Sequence, residues 1–133
     1  MTETKIFPEM MTALQGVVPS IVGTCSLEGI PNVTYISQVY YVDATHVALS
    51  HQFLNKTKRN IEENPMLCVY AVCPIKYKMY KMLLSFVESQ SSGDIFEEMA
   101  VQLEAIASIS NKVGVFKLQS ADIYKVLSIE IIG

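Results

Sequence analysis

The residues best suited to chemistry lie together in one short run, Ser50-His51-Gln52-Phe53-Leu54-Asn55-Lys56-Thr57-Lys58-Arg59-Asn60. A strand-like segment ends at Ser50 and a short loop follows. Asn55 is then a good N-cap for a helix over Lys56–Asn64 that stops before Pro65. Lys56, Lys58 and Arg59 fall in the first turn of that helix. Cations there oppose the helix macrodipole, at a cost of about 0.3–1 kcal/mol each when exposed. The free N–H groups of a helix start favour an anion instead. A lysine, a threonine hydroxyl and free amides make a chemically sensible phosphate cradle. The same residues also suit a basic helix face turned to water, and local chemistry weighs the two readings about equally.

Other constellations carry less. His46 and His51 are the only histidines, so a Ser-His-Asp or Cys-His catalytic set has little support. Cys25, Cys68 and Cys73 are odd in number and form no CxxC, which argues against a disulfide framework and against zinc. They read as small buried hydrophobes in a reducing compartment. Glu62 and Glu63 read as a solvated helix face, and Asp94, Glu97 and Glu98 as charges that favour a helix start. Lys76-Tyr77-Lys78-Met79-Tyr80-Lys81 interleaves cations and aromatics as nucleic-acid surfaces do. An exposed strand face explains that stretch equally well.

The elements that must position the Ser50–Asn60 run can be read from periodicity. Phe7, Met10, Met11 and Leu14 have helical spacing, so Phe7–Leu14 is expected to be a short helix. Ser20–Leu27 reads as a strand, Glu28-Gly29 as a turn, and Asn32–Val42 as one long strand. Asp43–Thr45 is a second turn and His46–Ser50 a third strand. Beyond the basic helix, Met66–Cys73 is an almost continuous apolar run, as expected of a strand buried on both faces. Ile75–Val87 is expected to be another strand, Ile95–Ser108 an amphipathic helix, and Ala121–Ile131 a final strand. Val113–Leu118 gives no clear signal. The expected order is helix, three strands, helix, two strands, helix, strand, which suits antiparallel strands closed into a small barrel.

Composition bounds the rest. The chain has 133 residues, enough for one domain (1–133) with a real core. Half the residues are hydrophobic and mean hydropathy is +0.30, a surplus that suggests burial against a partner subunit. A net charge of −3 gives no general attraction for nucleic acid or anionic membrane. The start leads into no apolar signal-type segment and no run is long enough to span a bilayer, so a cytoplasmic location is expected.

Three separated segments, in order, resemble the pyridoxamine 5′-phosphate oxidase-like family. Gly23-Thr24-Cys25-Ser26-Leu27-Glu28-Gly29-Ile30-Pro31-Asn32-Val33 is similar to its opening hairpin, A-T-x-x-x-x-G-x-P-x-x. Val42-Asp43 followed by Val47-Ala48-Leu49-Ser50 looks like its next hairpin. Lys56-Thr57-Lys58-Arg59-Asn60-Ile61-Glu62-Glu63-Asn64-Pro65 is similar to its K-T-x-x-N-[IL]-x-x-N-P helix. The resemblance covers about Ile21–Val72, with a weaker match near Val113–Ile129.

This resemblance implies a mainly β split barrel of antiparallel Greek-key type, with about six strands and short helices. It implies a homodimer that holds flavin mononucleotide (FMN) in a cleft between subunits. Carried over, Lys56 and Thr57 hold the phosphate, and Ser50 and His51 face the phosphate or ribityl chain. Ile36, Ser37, Gln38 and Val39 lie along the isoalloxazine ring. The oxidase has an Arg-Lys pair where Lys56-Thr57 stands, and an Arg-x-His-rich C-terminal segment that is not found here. Activity as a pyridoxamine phosphate oxidase is therefore not expected. Three functions stay open: a flavin-dependent oxidoreductase passing electrons from a reduced nicotinamide or similar donor to a small acceptor; a non-catalytic FMN-binding or redox-sensing module; and a relative that binds haem or a deazaflavin. The chemistry would belong to the flavin, so no catalytic side chain is named.

Overall fold

Seven segments, most of them rich in β-branched and aromatic residues, form seven strands. They are β1 (Ser20–Cys25), β2 (Pro31–Ile36), β3 (Val39–Asp43), β4 (His46–His51), β5 (Met66–Val72), β6 (Met79–Gln90) and β7 (Ser120–Ile132). A 3-10 helix spans Pro8–Leu14, and two α-helices, α1 (Asn55–Glu63) and α2 (Asp94–Ile109), interrupt the strands. The structure, a computed structural model, describes residues 4–14, 18–36, 39–51, 55–76, 78–109 and 118–132. The sheet order is β2-β1-β5-β6-β7-β4-β3, and every pairing is antiparallel.

The segment expected to be one strand over Asn32–Val42 is divided. Its first half pairs with β1 and its second with β4, which puts β2 and β3 on opposite edges of the sheet. Ile36 and Val39 are three Cα–Cα steps apart, a reach of about 11 Å at most. The two edges must therefore approach each other at that point, and the sheet bends round on itself. Among the described residues β2 and β3 do not pair, so the barrel is split rather than closed. This division makes seven strands where about six were expected.

The interior is filled from alternate positions. Val22, Val47, Val69, Met82, Leu84 and Val126 are at most 1% exposed, and Met10 and Leu14 of the 3-10 helix pack with them. The opposite positions of β4 and β7 are also covered: Ala48, Ala121 and Ile123 lie under Met99 and Leu103 of α2. Burial on both faces thus belongs to β4 and β7. The Met66–Cys73 run, read as doubly buried, instead alternates: Leu67, Val69 and Ala71 are buried, while Cys68, Tyr70 and Val72 are half-buried. The reason is that α2 packs over β4 and β7 rather than over β5.

Smaller shifts have local causes. The Cys73 N–H donates to the Lys78 carbonyl at 2.9 Å, which closes a turn and delays β6 to Met79. Leu118 is buried and irregular, and the rest of Val113–Leu118 lies outside the described residues. No helix among the described residues is long and apolar enough to cross a membrane.

Candidate functional site

Helix α1 follows β4 directly, and its period of 3.6 residues sorts the basic run onto two faces. Thr57, Lys58 and Ile61 face a cavity of about 340 Å³. Lys56, Arg59, Asn60 and Glu63 face a shallower groove beside the β1–β2 turn at Ser26–Ile30. Ile61 is buried in the main core and anchors the helix against the barrel.

The cavity walls come from both halves of the chain. Val22, Ile36, Leu49 and Leu67 form an apolar floor, and Phe86 and Tyr124 form a side, their rings edge-to-face at 5.5 Å. Polar groups enter from Ser50, Thr57, Lys58 and Glu62 on one side and from Ser89 and Asp122 on the other. The Asp122 Oδ1 accepts from Ser89 Oγ at 2.7 Å and from Ser120 Oγ at 2.8 Å, which fixes that carboxylate against β6 and β7. Burial, with a smaller contribution from Asp122, holds the Tyr124 phenol well above its ordinary pKa of 10.0. Tyr124 is therefore a neutral hydroxyl at physiological pH. An apolar body with a few placed polar groups is the usual make-up of a small-molecule site.

Four polar contacts hold α1 against the β1–β2 hairpin. Asn32 Nδ2 donates to Thr57 Oγ1 at 3.1 Å, and Asn60 Nδ2 donates to Thr24 Oγ1 at 3.1 Å. Asn64 Nδ2 donates to Cys25 Sγ at 3.3 Å, and the Leu27 N–H to the Glu63 carboxylate at 3.4 Å. Asn60 and Thr24 are each 6% exposed, so theirs is a buried bond.

The expected site residues are distributed as follows. Ile36, Ser50 and Thr57 meet in the cavity. Lys56 is exposed and lies on the groove face, next to Arg59. Val39 is buried in the main core beside the cavity floor. The backbone of His51 ends β4 opposite Ser120, and Ser37 and Gln38 lie outside the described residues. His46, at the start of β4, sits 3.0 Å from the Asp43 carboxylate at the β3–β4 turn. The Thr45 N–H, with help from His46, holds Asp43 below its ordinary carboxylate range. Lys58, Phe86, Asp122, Tyr124 and Asn32 were not singled out for the site. Helical spacing alone separates Lys56 from Lys58; the other four depend on strand order.

No family model matches the sequence, and no curated protein does. Solved structures do match it in fold. An FMN-binding protein from Syntrophomonas wolfei superposes with a TM-score of 0.78 at 14% identity, over 94% of this chain and 85% of that one. A putative pyridoxamine 5′-phosphate oxidase from Lactobacillus delbrueckii gives 0.63 at 14% identity, over 100% and 98%. HutZ, the heme storage protein from Vibrio cholerae, gives 0.58 at 17% identity, over 96% and 94%, and an F420 reductase also matches. An open antiparallel sheet of seven strands with a few short helices, matched by these neighbours, is the pyridoxamine 5′-phosphate oxidase-like split-barrel fold.

Proposed function

We propose that this chain is an FMN-binding flavoprotein. The observation that carries the reading is the convergence of Ser50, Thr57 and the start of α1 on the mouth of an apolar cavity. The residues fit the group: hydroxyls and helix N–H groups suit the phosphate, Lys58 lines the cavity beside Thr57 while Lys56 precedes Thr57 on the groove face, and the apolar floor suits a ring system. Lys56, Thr57, Ser50 and His51 are proposed as contacts for the phosphate and ribityl chain, and Ile36–Val39 for the ring. Bound flavin would supply electron transfer, from a reduced nicotinamide or similar donor to a small acceptor. The protein's part is to bind and orient.

A homodimer is part of this proposal. Ile21 stands between Tyr35 and Tyr70, and Gly23 between Val33 and Cys68, in rows across the outer face of β2, β1 and β5. Val33 and Tyr35 are about 70% exposed. A patch of this kind suits burial against a second copy.

The test is the visible spectrum after reconstitution with FMN, deazaflavin or haem. Tight uptake of FMN with a flavin spectrum is expected; preferential uptake of haem, or no uptake at all, overturns the reading. Lys56→Ala is expected to weaken FMN binding by about 1.5–3 kcal/mol through loss of a charge-assisted hydrogen bond. Unchanged affinity in titration calorimetry removes Lys56 from the cradle. Oxidation of reduced nicotinamide by the loaded protein then distinguishes an enzyme from a redox-sensing module.

A further inference from the structure

We propose that Asn32, which lies outside the cavity, is a positioning residue that turns the Thr57 hydroxyl into a donor toward an anion within it. The inference rests on the reading that the cavity mouth takes the phosphate of a flavin. A threonine hydroxyl has one hydrogen to give and two lone pairs to offer. Asn32 Nδ2 donates to Thr57 Oγ1 at 3.1 Å, so one lone pair is occupied and the hydroxyl hydrogen is directed away from Asn32. Thr57 is 8% exposed, and the space its side chain borders is the cavity. A hydrogen directed away from Asn32 can therefore meet an acceptor there.

The geometry that makes this bond is fixed from two sides. Asn32 shares its face of β2 with Ile36, which lines the cavity floor. On the neighbouring strand its register partner is Thr24, the residue that Asn60 binds one helical turn beyond Thr57. Helix and hairpin are thus pinned at adjacent turns, and Asn32 meets Thr57 without adjustment. A carboxylate in place of Asn32 only accepts, so it would draw the Thr57 hydrogen out of the cavity.

The experiment compares FMN with riboflavin, which lacks the phosphate, by titration calorimetry. Wild type, Asn32→Ala, Asn32→Asp and Thr57→Val are measured, with each Asn32 variant also made in the Thr57→Val background. Wild type is expected to prefer FMN. Asn32→Asp and Thr57→Val are each expected to lower that preference about tenfold, with riboflavin affinity unchanged, and Asn32→Ala by less, because the hydroxyl is then free to rotate. In the Thr57→Val background Asn32→Ala should change nothing further, and Asn32→Asp should retain only the smaller loss due to repulsion between its new charge and the phosphate. Equal losses in both backgrounds, or an unchanged preference in Asn32→Ala and Asn32→Asp, overturn the role of Asn32 while leaving the phosphate reading intact. A wild type that binds riboflavin as well as FMN overturns the phosphate reading and this inference with it. Thermal melts of each variant identify a fold defect, which would lower both affinities together.

Discussion

Tyr40 on β3 donates its hydroxyl to the Glu98 carboxylate on α2, tying the strand edge to the helix that covers it. That bond, followed by burial and the Glu98 charge, pushes the Tyr40 phenol from 10.0 up to about 12. A raised phenol pKa means the folded state keeps a proton that the unfolded chain gives up. The contribution is whole below pH 10 and is lost as pH rises toward 12. Melting temperature followed over that interval should fall less steeply in Tyr40→Phe than in wild type; parallel curves would show that Tyr40 contributes nothing there. Burial also raises Tyr80 and Tyr124, so part of the alkaline loss should survive the substitution. Individual residues were legible in the sequence where their signal was local. Ser50 and Thr57 stood out because a strand end and a helix start are adjacent in the chain. Tyr40 and Asn32 did not, since each acts through a partner on a distant element, Glu98 in one case and Thr57 in the other.

The two segments that most resemble the oxidase-like pattern, Gly23–Val33 and Lys56–Pro65, turn out to be one structural unit. Thr24 binds Asn60, Asn32 binds Thr57 and Cys25 binds Asn64, so the fixed positions Thr57, Asn60 and Asn64 of the second pattern all meet the first segment in space. This gives Asn60 a structural reason to stand in its motif, since it seats α1 on β1. Asn60→Ala leaves a buried hydroxyl without its partner and should cost about 1–3 kcal/mol of stability. Urea unfolding should show a lower midpoint at unchanged slope. Helices and strands with clean periodicity were legible to within a few residues, α2 and β7 among them. Two features were not. The break between β2 and β3 follows from which neighbours each half pairs with, and the alternating burial of β5 follows from where α2 lies. Both depend on tertiary arrangement, which an apolar run alone does not encode.

The surplus of apolar residues in the composition has a location in the fold. Tyr35, Val33, Ile21 and Tyr70 share one outer face of the sheet, away from the cluster that α2 covers. Tyr35→Glu puts a charge into the middle of the proposed subunit interface. Light scattering is expected to give a dimer for wild type and a monomer for the variant; a monomeric wild type would refute the homodimer. The antiparallel, mainly β character of the molecule was legible from strand and turn signals, and the split-barrel topology from the resemblance. The cavity was not, because Phe86, Asp122 and Tyr124 reach it from strands that no local pattern associates with α1.

The position of β2 and β3 on opposite edges also bears on how the chain acquires its shape. Neighbours in sequence usually find each other first, yet among the described residues β2 and β3 do not pair with each other. Closure depends on remote partners instead: Ala48 must find Ile123, and Val22 must find Val69. Such pairings carry a large loop-closure entropy and make for slow folding. During synthesis, the hairpin and α1 can assemble early with their hydroxyls and cations in place. The wall bearing Asp122 and Tyr124 arrives only with the last strand, so a nascent chain has the donors of the site well before it has a site.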